Sequence, residues 1–336
     1  MLKALLTKLL DGETLSQAEA MQAADTIMDG RATPTQIAGF LVALSMKGET
    51  ASEVAGFVES MRTHSVRIQV NDENAVDGVG TGGDGAHSFN ISTAAGIVAA
   101  GAGVTVAKHG NRSVSSKCGS ADLLEATGGD IDPGVERVNH VINEVGFGFM
   151  FAPTFHPAMK YAMPPRKELG VRTVFNILGP MTNPAGVKRL LLGVYHRDLM
   201  PLVAEVLSLT GTEHAVIVHS QDGLDEVSVC APTDYLEMKD GQIIPGMLTP
   251  ADCGLETHPV GALAGGDADK NLSILASVLA GDKSAYRDAV LINAGLMVQV
   301  GGKANSLSEG VAAAAKAIDS GRAREKLDRW VALSRS

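Results

Sequence analysis

Cysteine and aromatic residues are scarce in this chain of 336 residues, which has three cysteines and only 4% Phe, Trp and Tyr. Cys118, Cys230 and Cys253 are too few and too scattered for a disulfide scaffold or a cysteine-ligated zinc site. We therefore expect a reducing, cytoplasmic setting. The 38 glycines and few aromatic rings suit an α/β protein with small-residue packing and many tight loops.

Long hydrophobic runs and a surplus of positive charge are also missing. No run approaches the roughly 18 apolar residues of a membrane-spanning helix. The opening MLKALLTKLLDGE lacks the apolar core and cleavage site of a signal peptide. The net charge of −10 argues against a general binder of nucleic acid or anionic membranes. We expect neither partner, although a local basic pocket can still hold a small anion.

The first part of the chain has helical patterns only. The capping boxes SQAE, TPTQ and TASE place Ser16, Thr33 and Thr50 at the starts of amphipathic runs. We predict a small helical domain over residues 1–66, joined by a helical piece near residues 164–185. Its apolar faces suit either structural packing or a dimer contact.

From residue 67 onward, short β-branched runs alternate with helical patterns. AVDGVG and VTVAKHG flank the small-residue helix ISTAAGIVAAGAG, an order that implies a parallel sheet. The further predicted elements are helices near residues 135–145 and 199–209, strands near 147–151, 189–195 and 215–220, a hairpin around Asp240-Gly241, and a helical tail from Asp267. The predicted fold is therefore α/β, with the small all-helical domain followed by a large domain, residues 67–336, built on a central, mainly parallel sheet flanked by helices.

A glycine-rich loop, DGVGTGGDGAHSFNIST, follows the first predicted strand. Its exposed backbone N–H groups could wrap an anion at the carboxyl end of the strand. Gly78, Gly80 and Gly83 match the dinucleotide fingerprint, but a helix does not begin at once and the next strand ends in Lys108 where an acid is expected. A cation there suits phosphate. A nicotinamide site and a purely structural turn remain the alternatives.

A basic, hydroxyl-rich stretch, VAKHGNRSVSSKCGSAD at residues 106–122, comes at the end of the next strand. Its lysines, arginine, amide and hydroxyls are phosphate-binding groups. Two donor-rich loops at adjacent strand ends would hold a polyphosphate, whereas the alternative is a solvated basic loop.

Carboxylates in DGLDE follow a later strand and offer hard oxygen ligands. Asp222, Asp225 and Glu226 are candidates, and adjacent Asp225 and Glu226 repel each other unless a cation lies between them. The DGLDE segment is interpreted either as a magnesium site or as a solvated loop.

A last constellation contains PPRKELG. Pro164-Pro165 is expected to form an extended bend before a basic helix start, and Arg166 could clamp a carboxylate through two parallel hydrogen bonds. The alternative is a surface arginine.

The motifs GTGGD, FNIST, KHGNRSVSSKCGSAD, PPRKELGVRTVFNILGPMTNP and DGLDE together resemble the anthranilate phosphoribosyltransferase family, in its order and over nearly the whole chain. The resemblance implies a homodimer through the helical domain and a fold related to pyrimidine nucleoside phosphorylases. It also implies Mg²⁺-dependent transfer of a phosphoribosyl group from phosphoribosyl pyrophosphate to anthranilate, the second step of tryptophan biosynthesis, with two Mg²⁺ ions per chain.

The resemblance also implies the site residues. The anthranilate contacts are Gly80, Asn111 and Arg166. The phosphoribosyl pyrophosphate contacts are Gly80, Gly83, Asp84, Ser88, Asn90, Ile91, Ser92, Thr93, Lys108, His109, Gly110, Asn111, Arg112, Ser113, Val114, Ser115, Ser116 and Ser120. The metal positions are Ser92, Asp225 and Glu226.

The aromatic amine of anthranilate is already neutral at pH 7, so it needs orientation more than deprotonation. We therefore expect no obligatory general base, and His109 is the one candidate for that role. Two other functions remain open: a nucleoside phosphorylase of the same fold and a non-enzymatic relative that binds nucleic acid. The net charge of −10 disfavours the latter.

Overall fold

The computed structural model describes residues 2–113 and 117–336. Four helices occupy the N-terminal part: α1 (Leu2–Leu10), α2 (Gln17–Met28), α3 (Pro34–Lys47) and α4 (Ala51–Thr63). Ser16, Thr33 and Thr50 cap α2, α3 and α4, each in a complete capping box. The three predicted helix starts are confirmed, because a capping box is a local interaction that can be read from four residues.

A seven-stranded sheet forms the centre of the large domain. Its strands are β1 (Val76–Gly80), β2 (Val106–Gly110), β3 (Phe147–Phe151), β4 (Arg189–Gly193), β5 (His214–Ser220), β6 (Thr233–Lys239) and β7 (Gln242–Leu248). The spatial order is β3-β2-β1-β4-β5-β6-β7. The first five strands are parallel, and β6 and β7 continue the sheet antiparallel. The predicted α/β fold with a mainly parallel sheet is confirmed.

Helices cover both faces of this sheet. The helices that follow β1 in the chain are α5 (Ile91–Gly101), α6 (Ser120–Ala126), α7 (Val135–Val145), α8 (Ala152–Phe155), α9 (Met163–Leu169), α10 (Phe175–Leu178), α11 (Leu199–Leu209), α12 (Ala268–Ala280), α13 (Ala285–Val300), α14 (Leu307–Asp319) and α15 (Arg322–Ser334). None of the helices in the described part of the chain is long and apolar enough to cross a membrane.

The hydrophobic core lies in two layers, one on each face of the sheet. Val76 and Phe147 point into a layer with α5, α13 and Trp330 of α15. Leu190 and Ile217 point into the other layer, which continues into α11 and the N-terminal helices. Burial on both faces explains why the parallel strands are apolar without strict alternation.

The segment around α9 and α10 packs against the N-terminal helices: α9 contacts α3, and α10 contacts α4. The extended bend expected at Pro164-Pro165 is wrong, because both prolines lie within the first turn of α9. N–H groups in a first turn have no intrahelical acceptor, so prolines there cost the helix no hydrogen bond.

The predicted hairpin at Asp240-Gly241 is confirmed. It joins β6 to β7, and both turn residues have positive φ, 51° and 74°. Two left-handed residues are what a type I′ turn requires, and that turn matches the twist of the flanking strands. The hairpin makes β7 an edge strand of the sheet.

Candidate active site

The site lies at the carboxyl ends of the parallel strands, where open α/β sheets bind their ligands. The glycine-rich loop, residues 81–90, runs from the end of β1 to the start of α5. Gly82, Gly83 and Gly85 have φ between 66° and 76°, a backbone region that strongly favours glycine. The predicted loop and its delayed helix start are therefore present, and they differ from the dinucleotide arrangement in which the helix begins immediately.

Asp225 contacts the backbone of this loop. Its Oδ2 accepts a hydrogen bond from the Gly82 amide at 2.7 Å. A side chain at Gly80 would collide with the same carboxylate. The glycine at that position is therefore explained by close approach of an acidic group to the strand end.

Glu226 lies beside Asp225, and its Oε1 accepts from the Ser92 amide at 3.1 Å. Burial raises the pKa of Asp225 to about 7, and repulsion from Asp84 adds to the shift. Burial likewise raises the pKa of Glu226 to about 8, assisted by repulsion from Asp225. Two adjacent carboxylates held in this way are stabilised when a cation neutralises them.

Ser92, Asp225 and Glu226, the three predicted metal positions, are thus brought together. No group of three His, Cys, Asp or Glu side chains within residues 2–113 and 117–336 forms a complete metal cage. Mg²⁺ is usually held by one or two carboxylates, with water and substrate phosphate completing its shell. The hard oxygen donors present here fit that mode of binding.

The first turn of α5 carries several predicted contacts with phosphoribosyl pyrophosphate. Asn90 precedes this helix of 11 residues, and its Nδ2 donates to the Cys118 carbonyl at 3.0 Å. Ile91 and Thr93 are buried, and the Ile91 amide already donates to the Phe89 carbonyl at 2.7 Å, so their contacts with phosphoribosyl pyrophosphate stay predictions. Ser88, near the C-terminal end of the glycine-rich loop, is half-buried. It forms a β-bridge with Ala264.

Lys108 points into the protein. It is 2% exposed, and its Nζ donates to the Gly78 carbonyl at 2.8 Å and to Ser92 Oγ at 3.3 Å. Burial lowers the pKa of this ammonium, opposed by the charges of Asp77 and Glu226. A direct phosphate contact by Lys108 stays a prediction, because its ammonium group hydrogen-bonds to β1 and to the first turn of α5.

Asp77, a fully buried carboxylate on β1, was not predicted as a site residue from the sequence. It accepts from Asn183 Nδ2 at 2.7 Å and from the His109 amide at 3.3 Å. Asn183 Nδ2 also donates to the Ala107 carbonyl at 2.8 Å. Together these contacts tie β1, β2 and the turn before β4. An acid inside an apolar strand was the available signal, but its partner lies 106 residues away.

His109 is buried at 5% exposure, and the backbone of Gly179 near its ring partly offsets the effect of burial on its pKa. His156, which was not predicted as a site residue, lies with its ring centre 4.9 Å away, and the backbone of Thr182 partly offsets the effect of burial on its pKa. Burial lowers the pKa of His109 to about 3 and that of His156 to about 4. Neither Nε2 has a hydrogen-bond partner among the described residues.

The second predicted loop follows β2, whose last residue is Gly110. Ser120 Oγ donates to the Asn111 carbonyl at 3.2 Å, which closes the base of this loop. Arg112 pairs with Asp122 at 2.9 Å and with Glu125 at 2.7 Å, and Asp122 also accepts from the Ser113 amide. The phosphate role of Arg112 therefore stays a prediction. Val114, Ser115 and Ser116 lie outside the described residues.

Arg166 is half-buried on α9, with its guanidinium 5.0 Å from the ring centre of Phe175. Burial lowers its pKa. No carboxylate among the described residues pairs with it. A guanidinium without a carboxylate partner can donate hydrogen bonds to the carboxylate of a ligand.

Two family models match the chain. The glycosyl transferase family, a/b domain, matches residues 72–324, and the glycosyl transferase family, helical bundle domain, matches residues 3–65. These two matches define the chain as a glycosyl transferase of the two-domain type.

Relatives at higher identity give the particular family. Anthranilate phosphoribosyltransferase from Afipia carboxidovorans is 50% identical over 99% of both chains, and that of Moorella thermoacetica is 50% identical over 99% of this chain and 98% of its own. The crystal structure of the Thermus thermophilus enzyme superposes with a TM-score of 0.94 at 43% identity, covering 98% of this chain and 99% of its own. The Saccharomyces cerevisiae enzyme in complex with phosphoribosyl pyrophosphate and Mg has a TM-score of 0.90 at 30% identity, covering 99% and 98%. The chain belongs to the anthranilate phosphoribosyltransferase family.

Proposed function

We propose that this protein transfers the phosphoribosyl group from phosphoribosyl pyrophosphate to the amine of anthranilate. The products are N-(5-phosphoribosyl)anthranilate and pyrophosphate, and the reaction depends on Mg²⁺. The main support is that the Asp225 carboxylate contacts the glycine-rich loop and the Glu226 carboxylate contacts the first turn of α5, at one edge of the sheet. A polyphosphate–metal complex is the ligand that such a combination suits.

The chain's own residues account for the two halves of the reaction. Charge builds on the leaving pyrophosphate as the anomeric carbon becomes oxocarbenium-like, and loop amides directed at that charge stabilise it. Bound Mg²⁺ supplies further electrostatic stabilisation of the leaving group. Arg166, which lacks a carboxylate partner among the described residues, suits the carboxylate of anthranilate. Its role is to aim an amine that is already nucleophilic.

His109 acts through position in this proposal. A pKa of about 3 makes its imidazole a weak base at neutral pH. Its unpartnered Nε2 can form a hydrogen bond that orients a substrate without removing a proton.

The proposal includes the remaining residues of the two substrate sites. They are Gly80 and Asn111 for anthranilate, and for phosphoribosyl pyrophosphate Gly80, Gly83, Asp84, Ser88, Asn90, Ile91, Ser92, Thr93, Lys108, Gly110, Asn111, Arg112, Ser113, Val114, Ser115, Ser116 and Ser120. It also includes two Mg²⁺ ions per chain, a cytoplasmic location and a division at residue 66 into the small helical and large α/β domains.

The proposal further includes a homodimer formed through the helical domain. Leu10 at the end of α1 and Met46 near the end of α3 are 71% and 84% exposed, which supports an apolar contact there. Sedimentation of the wild-type protein and of Met46→Lys tests it. A wild-type monomer at micromolar concentration would contradict this part of the proposal.

The activity itself is tested with purified protein, Mg²⁺ and anthranilate, whose fluorescence disappears as product forms. Loss of fluorescence is expected only after phosphoribosyl pyrophosphate is added. A parallel reaction with a pyrimidine nucleoside and inorganic phosphate tests for phosphorolysis. Phosphorolysis without anthranilate consumption would replace this proposal with the phosphorylase.

A further inference from the structure

Arg172 lies outside the groups assigned so far, yet it connects the segment carrying Arg166 to the glycine-rich loop. Its Nη2 donates to the Gly83 carbonyl at 2.7 Å. Its guanidinium carbon lies 3.9 Å from the ring centre of Tyr195. Arg172 is exposed, but a charged donor on a carbonyl and a cation above an aromatic face are both stabilising contacts.

The loop that Arg172 contacts is rich in glycine, so ordering it has a high entropic cost. Gly82, Gly83 and Gly85 all adopt positive φ, and glycine loses more conformational entropy on ordering than any other residue. Two side chains from other segments contact the backbone at its centre: Asp225 at the Gly82 amide, and Arg172 at the Gly83 carbonyl. Arg172 therefore contacts the loop at a position where the backbone has no side chain to restrain it.

The contact also sets the direction of one peptide group. A trans peptide is planar, so the Gly83 carbonyl and the Asp84 amide point in opposite directions. Holding the carbonyl toward Arg172 turns the Asp84 N–H toward the opposite side of the loop. The orientation of a potential phosphate donor is thereby fixed from outside the site.

Tyr195 ties this contact to the start of the loop. Its amide donates to Thr81 Oγ1 at 3.0 Å, and the Thr81 amide donates to the Gly193 carbonyl at 2.9 Å. The ring beneath Arg172 therefore belongs to the junction from which the loop departs.

We propose that Arg172 is a positioning residue for phosphoribosyl pyrophosphate, which it serves by fixing the Gly83–Asp84 peptide against Tyr195. This inference rests on the proposed function and deepens it. It also means that the segment carrying Arg166 helps to order the site of the other substrate.

The test measures binding of phosphoribosyl pyrophosphate with Mg²⁺ by calorimetry, without anthranilate, and then both KM values. Arg172→Ala should raise the Kd and the KM for phosphoribosyl pyrophosphate about tenfold or more, the usual effect of losing a charged hydrogen bond. The KM for anthranilate, measured at saturating phosphoribosyl pyrophosphate, should change less than about twofold. Arg172→Lys keeps a donor but not the planar stack, so it should recover part of the loss.

Two controls separate positioning from general damage. Arg324 is also exposed and pairs with Asp328 within α15, a helix that carries none of the proposed site residues, so Arg324→Ala should leave both constants unchanged. Tyr195→Phe keeps the ring and should bind normally, whereas Tyr195→Leu should weaken binding and add little to Arg172→Ala. Equal binding by wild type and Arg172→Ala, or a selective rise in the KM for anthranilate, would overturn this role alone. A wild-type protein that bound no phosphoribosyl pyrophosphate would overturn the proposed function as well.

Discussion

The ring centres of His109 and His156 lie 4.9 Å apart, and the backbone groups that oppose the lowering of their pKa values, at Gly179 and Thr182, belong to the same turn. Burial keeps both imidazoles neutral in the folded protein. The unfolded chain can protonate both below about pH 6.5. Acidic pH therefore favours the unfolded chain, because that state alone protonates these two histidines.

Replacement of His156 by asparagine should make the stability of the protein less sensitive to acid. Because the folded-state pKa of about 4 lies below the ordinary value, the unfolded state alone binds a proton between these values. The stabilising contribution is complete above about pH 6.5 and decreases as pH falls, by at most about 1.4 kcal/mol per pH unit. Denaturant unfolding of wild type and His156→Asn between pH 7 and pH 5 measures it.

The difference between the two proteins is the informative quantity, because Asp77, Asp225 and Glu226 have raised pKa values and respond to acid in the opposite direction. His140 is exposed on α7 and provides a control, since His140→Asn removes a histidine without touching the buried pair. Parallel pH curves for wild type and His156→Asn would contradict the prediction.

His109→Ala should lower turnover about ten- to a hundredfold, as expected for a misplaced contact worth about 1.4–2.8 kcal/mol. His109→Asn should recover part of that loss, because it restores a polar group without a titrating base. The wild-type rate should show no decrease attributable to His109 as pH falls through about 6.5. If both variants were inactive while folded and able to bind phosphoribosyl pyrophosphate, His109 would be catalytic.

Arg166→Ala should raise the KM for anthranilate strongly and leave that for phosphoribosyl pyrophosphate nearly unchanged. Loss of a charge-assisted contact with the substrate carboxylate should cost about 2–3 kcal/mol. Steady-state kinetics with each substrate varied in turn provides the measurement. Lys167→Ala is a matched control, because Lys167 is an exposed cation on the same helix. Equal increases in both KM values would contradict the assignment.

Asp225→Asn combined with Glu226→Gln should reduce activity and weaken its dependence on Mg²⁺. The double variant keeps the shape of the site but removes two anionic ligands. Activity titrated with Mg²⁺ at fixed phosphoribosyl pyrophosphate tests this. Asp222→Asn is the control, since Asp222 lies in the same segment but accepts from Ser228 Oγ at 2.6 Å. A wild-type titration curve for the double variant would place the metal elsewhere.

Local features of this fold could be predicted from the sequence, because their causes lie within a few residues. The capping boxes of Ser16, Thr33 and Thr50 need only four residues each, and the Asp240-Gly241 turn needs two. The strand ends that carry the glycine-rich loop and Lys108 followed from the rule that parallel strands share one edge.

Contacts between distant segments could not be predicted in the same way. Asp77 depends on Asn183, 106 residues away, and Arg172 depends on Gly83, 89 residues away. Arg112 was expected to face phosphate, but its acid partners lie 10 and 13 residues further along, both on α6. Only the folded structure shows which of these cations is already paired.

The position of β7 at the edge of the sheet affects the tendency of the protein to aggregate. Its residues Ile243, Ile244 and Met247 are exposed, and an apolar edge of this kind invites pairing with another strand. Pro245 interrupts that edge because it has no N–H to donate. The outer strand is thereby protected against continuous sheet extension, and hence against aggregation, by a single residue far from the catalytic chemistry.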